Sequence, residues 1–409
     1  MNLLDLMMIG GSAVAKKLAI LSGLAIGSYA VARSTEYLSS TKSKMKQLFE
    51  LSGLYVTRSE GRKSKLLPVV EKVYLTSTGK HIQFRIPVGL NPDKVHDTSW
   101  IFKQAFGESI LLTNENDLFT LSMYQKLPNH FEYNYSEIAP LIEEMHVPIV
   151  VGKSLEGWEV YDMVNEPGLV IAGEPGGGKS TQLRTILTTL ITSKEPQDLH
   201  LFLVDLKMSE FFLFEGVEHV QGEVADTVEG VRDLLNEYLI PEMERRKKLL
   251  KQQRKVHVKD LDEKLPFIIL CIDEVSLLRT EKEVMKQVEN IAAIGRALGM
   301  YLILSMQRPD SEVINGRLKF LLTIRMAFRH NDTLNYRITL GEDATDRLPE
   351  EIKVTQRGRM YFKHVDLKLV QGPFLSEKVA EEMLSTKKEP IFTTPGDLKS
   401  SPVENYRIL

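Results

Sequence analysis

The chain has 409 residues, which suits two or three domains and is too long for one ordinary domain. With 43% apolar and 26% charged residues it can fill a core, so wholesale disorder is excluded. One cysteine, Cys271, excludes a disulfide framework and a cysteine-built zinc site, and fits a reducing compartment. The net charge of −3 points to no partner, but its distribution is informative. Residues 1–66 carry ten Lys/Arg against four Asp/Glu, a balance of +6, and the rest of the chain stands at −9. A basic amino-terminal arm therefore precedes a mildly acidic body.

Leu18 to Ala32 is a run of fifteen residues without a charge. As a helix it would span roughly 22 Å, short of the roughly 30 Å hydrocarbon core. A second apolar run, Leu6 to Ala15, is separated from it by Lys16 and Lys17. With those lysines at one interface, and Arg33, Lys42, Lys44 and Lys46 beyond the other end, the span would leave its carboxyl-terminal side cytoplasmic. Residues 1–33 are thus expected to be a membrane or amphipathic anchor, with the body at the cytoplasmic side of the cell membrane. A cleaved signal peptide fits poorly, because the body carries the nucleotide chemistry described below.

Residues 34–66 are polar and basic and suit a linker with a short helix around Met45–Leu51. The segments VEKVYLTSTG and KHIQFRIPVG alternate apolar and polar residues about a Ser-Thr-Gly turn, the pattern of a β-hairpin. SWIFKQAFG suits a short helix, and ESILLTN with LFTLSMYQK suit a strand pair around Glu115-Asn116-Asp117. Residues 67–146 are expected to be a small α+β module with no chemistry of its own. Farther on, GLVIAG, HLFLVDL, PFIILCID, YLILSM and TIRMAF are continuously apolar, as strands covered on both faces are. Amphipathic stretches separate most of them, which predicts an α/β domain with a mainly parallel sheet over residues 147–385. Residues 386–409 are expected to be a flexible tail.

The strand GLVIAG leads into Gly173-Glu174-Pro175-Gly176-Gly177-Gly178-Lys179-Ser180-Thr181 and then a helix. This matches G-x-x-x-x-G-K-S/T in the strand–loop–helix setting that the motif requires. Glycines let backbone N–H groups face phosphate oxygens, and the helix amino terminus adds positive potential there. Lys179 would reach the β- and γ-phosphates of ATP, and the Ser180 hydroxyl would ligate Mg²⁺. A glycine-rich turn with an accidental lysine is the plain alternative, and the flanking strand and helix weigh against it.

About ninety residues later, PFIILCIDE closes in Asp273 and Glu274. The first acid suits the Mg²⁺ shell, and the second can act as base towards the attacking water. Two acids capping the next helix would be the structural alternative. Cys271 within the run suits a buried small hydrophobe. The following strand ends at Gln307, placed to sense the γ-phosphate or orient water. Arg296 is the first candidate for an arginine finger presented across a subunit boundary, with Arg325 and Arg329 behind it.

These motifs in this order resemble the FtsK/SpoIIIE family of DNA-pumping ATPases within the HerA/FtsK superfamily. The resemblance runs from about Val147 to Phe362 and includes VVGKSLEGWEVYDM, VDLKMSEFFLFEGVEHV with Asp205-Leu206-Lys207, IPEMERRKKLL, and the stretch NIAAIGRALGMYLILSMQRPDSEVINGRLK. It implies a RecA-like P-loop motor and a ring, six-membered in that family, pumping duplex DNA with ATP bound between neighbours. The weak anchor and the small module make the chain look more like the coupling ATPases of Gram-positive conjugative elements. That reading implies relaxase or transfer-channel proteins as partners. Alternatives are a protein-export ATPase of the type VII kind, a chromosome or plasmid segregation pump, and a nucleotide-dependent scaffold.

Eight Lys/Arg fall within residues 245–259 (Arg245, Arg246, Lys247, Lys248, Lys251, Arg254, Lys255 and Lys259). In the resembled family the loop after this helix faces the lumen, so Arg254, Lys255 and Lys259 are candidate phosphate contacts, with Arg317 and Lys319 as a second group. Sequence-independent pumping needs such contacts. A solvated helix face would give the same charge run.

Overall fold

The computed structural model describes residues 40–388 apart from 59–63, 77–78, 108, 125, 346–347 and 349–350. The expected anchor, residues 1–33, and residues 389–409 of the expected tail lie outside the described residues. No helix among the described residues is long and apolar enough to cross a membrane. The chain divides into two compact units between Lys126 and Leu127.

The first unit begins with a helix over 40–51, which buries Met45, Leu48 and Phe49. Two short strands follow, β1 (Val56–Arg58) and β2 (Ser64–Leu66). An antiparallel sheet of order β3-β4-β6-β5 comprises β3 (Val69–Leu75), β4 (Gly79–Arg85), β5 (Ile110–Glu115) and β6 (Leu118–Tyr124). These are the expected hairpin and strand pair. Asn116 turns the second pair in the left-handed region at φ 55°, which asparagine tolerates better than most residues. The helix Ser99–Phe106 places Phe102 against Phe49 and Phe84, closing an aromatic core. The helix over 40–51 is thus part of a folded core rather than of a linker.

The second unit holds a nine-stranded sheet of order β10-β11-β12-β9-β13-β14-β15-β7-β8. Its strands are β7 (Pro148–Ser154), β8 (Gly157–Asp162), β9 (Gly168–Ala172), β10 (Leu199–Asp205), β11 (Phe267–Asp273), β12 (Met300–Met306), β13 (Ile324–Phe328), β14 (Arg359–Lys363) and β15 (Leu367–Gln371). The five expected apolar strands, β9 to β13, run parallel. The other four extend the sheet with antiparallel pairings. Alternate residues of each parallel strand enter different cores, Phe267, Ile269 and Cys271 one and Ile268, Leu270 and Ile272 the other. Burial on both faces is why these strands read as unbroken apolar runs. The helices Lys179–Ser193 and Glu377–Leu384 contribute to the first core, and Ile240–Gln253 and Lys282–Leu298 to the second.

Residues 127–146 belong to this unit, not to the small module as expected. Tyr133 N–H donates to Phe374 O at 2.9 Å, and Phe374 N–H to Phe131 O at 2.8 Å. The helix Tyr135–Ile142 buries Ile138 and Ile142 with Val150 of β7. The expected tail also starts later than residue 386, because Glu218 N–H donates to Lys387 O and Lys388 pairs with Val217.

Candidate nucleotide site

Parallel strands place their carboxyl-terminal ends along one edge of the sheet. At that edge stand the glycine-rich loop after β9, Lys207 after β10, Asp273 and Glu274 at the end of β11, Gln307 after β12 and Arg329 after β13. Ligands of open α/β sheets bind at this edge.

The loop is a built cradle. Gly176 and Gly178 take φ of +78° and +113°, a region that favours glycine. A Cβ on Gly178 would come within 2.7 Å of the Gly358 backbone, whose N–H donates to Gly177 O at 2.8 Å. Glu174 braces the other side. It accepts from the Arg329 guanidinium at 2.9 Å and from the Asn331 backbone at 2.6 Å. The helix Lys179–Ser193 then starts directly from the cradle, with Gly178 as its amino-terminal cap.

Lys179 Nζ lies 2.5 Å from Asp273 Oδ1 and 2.9 Å from the Ser305 hydroxyl, which itself donates to Asp273 at 2.7 Å. All three residues are buried. Beside them Glu274 is buried, with its backbone in the left-handed region at φ 56°. Its carboxylate accepts from Lys207 Nζ at 2.7 Å, from the Ser276 hydroxyl at 2.5 Å and from the Gln307 backbone N–H at 3.2 Å. Burial alone would raise this carboxyl; the Lys207, Ser276 and Gln307 donors outweigh it and hold the group below its ordinary range. Glu274 is thus fixed as an anion, the protonation state a base requires.

Two residues outside the phosphate loop and the paired acids complete this edge. Lys207 sits on a turn that Asp205 organises, its Oδ2 accepting from the backbone N–H groups of Ser209, Glu210 and Phe211 at 2.7–2.9 Å. Its sequence signal is the Asp-Leu-Lys at the end of β10, which the family resemblance includes without a role. Glu210 is half-buried on the same turn; burial and the nearby Asp273 charge push its carboxyl up against the opposing effect of Ser180. Ser180 and Asp273 are hard oxygen donors of the kind Mg²⁺ prefers, so the residues fit that ion.

The remaining candidates lie elsewhere. Arg296 is exposed near the end of the helix Lys282–Leu298, leading into the amino-terminal end of β12 and so at the sheet edge opposite the cradle. Arg254, Lys255 and Lys259 are exposed on the connection into β11, and Arg317 and Lys319 lie on the short helix before β13, both at that opposite edge. Arg317 is exposed and pairs with Glu289 at 3.7 Å, and Lys319 is half-buried, donating to Arg337 O at 3.4 Å. Arg325 is buried and its guanidinium is spent on the carbonyls of Leu322, Leu340 and Lys319. In the basic run, Arg246 is no solvated side chain. It is fully buried and bonds Glu242, Leu298 O and Pro266 O at 2.7–2.8 Å.

Residues 142–278 match the model of the FtsK/SpoIIIE family. The matched segment is similar to FtsK/SpoIIIE domains. It holds the cradle, Lys207 and both acids, while Gln307 and the strands β12 to β15 lie beyond it. The chain is 28% identical over 261 residues to the DNA translocase FtsK of Borreliella burgdorferi, covering 60% of this chain and 32% of that protein. It is 31% identical over 250 residues to the FtsK of Treponema pallidum, covering 57% of this chain and 30% of that one. It thus spans about a third of the length of these relatives. Among solved structures, the pCW3 conjugation coupling protein TcpA superposes with a TM-score of 0.57 at 23% identity, over 85% of this chain and 99% of that one. EssC (ATPases 2 and 3) from Geobacillus thermodenitrificans gives 0.55 at 20% identity, over 64% of this chain and 51% of that one. Both likenesses establish the RecA-like P-loop fold.

Proposed function

We propose that this chain is an ATP-hydrolysing translocase of double-stranded DNA. It would work as a ring of six subunits at the cytoplasmic face of a membrane, moving DNA during transfer of a conjugative or mobile element. The observation that carries the reading is the pairing of Lys179 with Asp273 and of Lys207 with Glu274 at adjacent strand ends beside one phosphate cradle. Lys179 and the loop backbone would hold the β- and γ-phosphates, and Ser180 with Asp273 would hold Mg²⁺. Mg²⁺ would supply charge neutralisation of the phosphate oxygens. Glu274 would take the proton of the attacking water while Gln307 orients that water, giving ADP and phosphate. Arg296 of a neighbouring subunit would stabilise the transferring group, and Arg254, Lys255, Lys259, Arg317 and Lys319 would face the duplex.

The match to FtsK DNA translocases supports DNA as the cargo, and the likeness in fold to a conjugation coupling protein over nearly all of its length supports transfer over segregation. The likeness to EssC keeps a protein-export motor as the second reading. ATP-dependent displacement of a third strand from duplex DNA separates them. Displacement is expected, and its absence in a protein that hydrolyses ATP would favour the export reading.

A further inference from the structure

The cleft that opens above the cradle has a volume of about 410 Å³, within the range of small-molecule sites. Its lining joins Gly176, Gly178, Lys179 and Ser180 of the cradle to His130, Gly372, Pro373 and Phe374, and the latter four lie outside the phosphate motif. Phe374 is 41% exposed, so part of its ring is open to a ligand in the cleft. Its ring centroid lies 5.3 Å from that of His130, at 45°.

The fold holds this mouth in place at several points. Phe374 is paired through its backbone with Phe131 and Tyr133, and Glu132 bridges to it in the parallel sense. His130 Nε2 lies 2.9 Å from Glu132 Oε1. Arg359, buried, spans from Gln371 to the loop ahead of His130, donating to Pro128 O at 2.8 Å and to Asn129 at 3.1 Å. Two segments far apart in sequence, both outside the matched family segment, are thus fixed face to face at the cleft mouth.

We propose that Phe374 and His130 form the base subsite of the nucleotide, the base stacking on the Phe374 ring with His130 at its edge. A nucleotide anchored by its phosphates on the loop projects its base away from Lys179, and His130 and Phe374 are the aromatic rings among the residues that line this cleft. The proposal rests on the ATP-site reading above and adds which side chains take the base.

The test compares the affinities of ATP and of inorganic tripolyphosphate, both with Mg²⁺, for the full chain and for Phe374→Ala and Phe374→Trp. Stacking of a base on an aromatic ring predicts a loss of about tenfold in ATP affinity for Phe374→Ala. Tripolyphosphate affinity should be unchanged in that variant, and Phe374→Trp should retain ATP. An equal loss for both ligands would make Phe374 structural, and no loss for ATP would overturn the subsite. If the unaltered chain binds tripolyphosphate as tightly as ATP, the cradle stands and the base subsite falls. If it binds neither, the nucleotide reading itself fails.

Discussion

Lys179 and Asp273 are each other's counter-ions, 2.5 Å apart, with the Ser305 hydroxyl touching both. Phosphate and a divalent cation offer each a new partner, so the same two groups that would grip a nucleotide hold the sheet edge together. Removing one partner of a buried pair leaves an uncompensated charge, which costs about 3–5 kcal/mol. Lys179→Ala should therefore abolish nucleotide binding and also lower unfolding stability. Lys179→Met combined with Asp273→Asn should recover much of the stability without recovering binding. Urea denaturation of the three proteins checks this; an unchanged midpoint for Lys179→Ala would mean the pair contributes nothing.

Glu274→Gln keeps the shape of the acceptor but removes the carboxylate proposed as base. Turnover should fall by about 10²–10⁴-fold while ATP binding persists. Lys207→Ala should also slow turnover, because Glu274 loses the donor that aims it and opposes its burial. Single-turnover hydrolysis read against nucleotide affinity separates chemistry from binding. Rapid hydrolysis by Glu274→Gln would remove that residue from the role of base.

Much of this edge is legible in the sequence. The five parallel strands are buried on both faces and so read as unbroken apolar runs, and the cradle and the acids follow them at strand ends. The antiparallel strands β14 (RMYFK) and β15 (LKLVQ) escape such a reading, the first having only three apolar residues between Arg359 and Lys363 and the second being interrupted by Lys368. Arg246 reads like its basic neighbours. Its inward side follows from Met243 and Leu250, which share its helix face and are buried, yet a run of four cations masks that periodicity. Phe374 carries no local signal at all, because its place depends on residues 131–133, more than two hundred positions earlier.

His330 gives a pH dependence. Its ring is 6% exposed and packs edge-on to Tyr336, 4.8 Å between centroids. Burial, opposed by Asp332 and reinforced by Arg329, pushes its pKa down from 6.5 to about 4. Between those values the unfolded chain binds the extra proton. The contribution to stability is therefore complete above pH 6.5 and declines as the pH falls towards 4, by up to about 3 kcal/mol. His330→Phe should make urea midpoints less steep across that window. His200, also pushed down to about 4, keeps the slope from vanishing. An identical slope in the variant would show that His330 titrates normally.

The exposed cations before β11 are expected to act on DNA alone. Arg254→Ala with Lys255→Ala should reduce the slope of log affinity against log salt by roughly 0.9 for each DNA phosphate the variant no longer neutralises, with nucleotide affinity unchanged. Arg246→Ala should instead lower stability, since Leu298 O and Pro266 O would lose their donor. A double variant that binds duplex DNA with the original salt slope would place the duplex elsewhere.

ATP should be split at the Lys179–Glu274 edge, with duplex DNA driving the turnover. The most direct measurement is the ATP hydrolysis rate of the purified chain with and without duplex DNA, with Glu274→Gln run alongside. DNA should raise the rate of the unaltered chain, and turnover in the variant should be near zero under both conditions. A chain inert towards ATP with DNA present, or a rate that Glu274→Gln leaves intact, would contradict it.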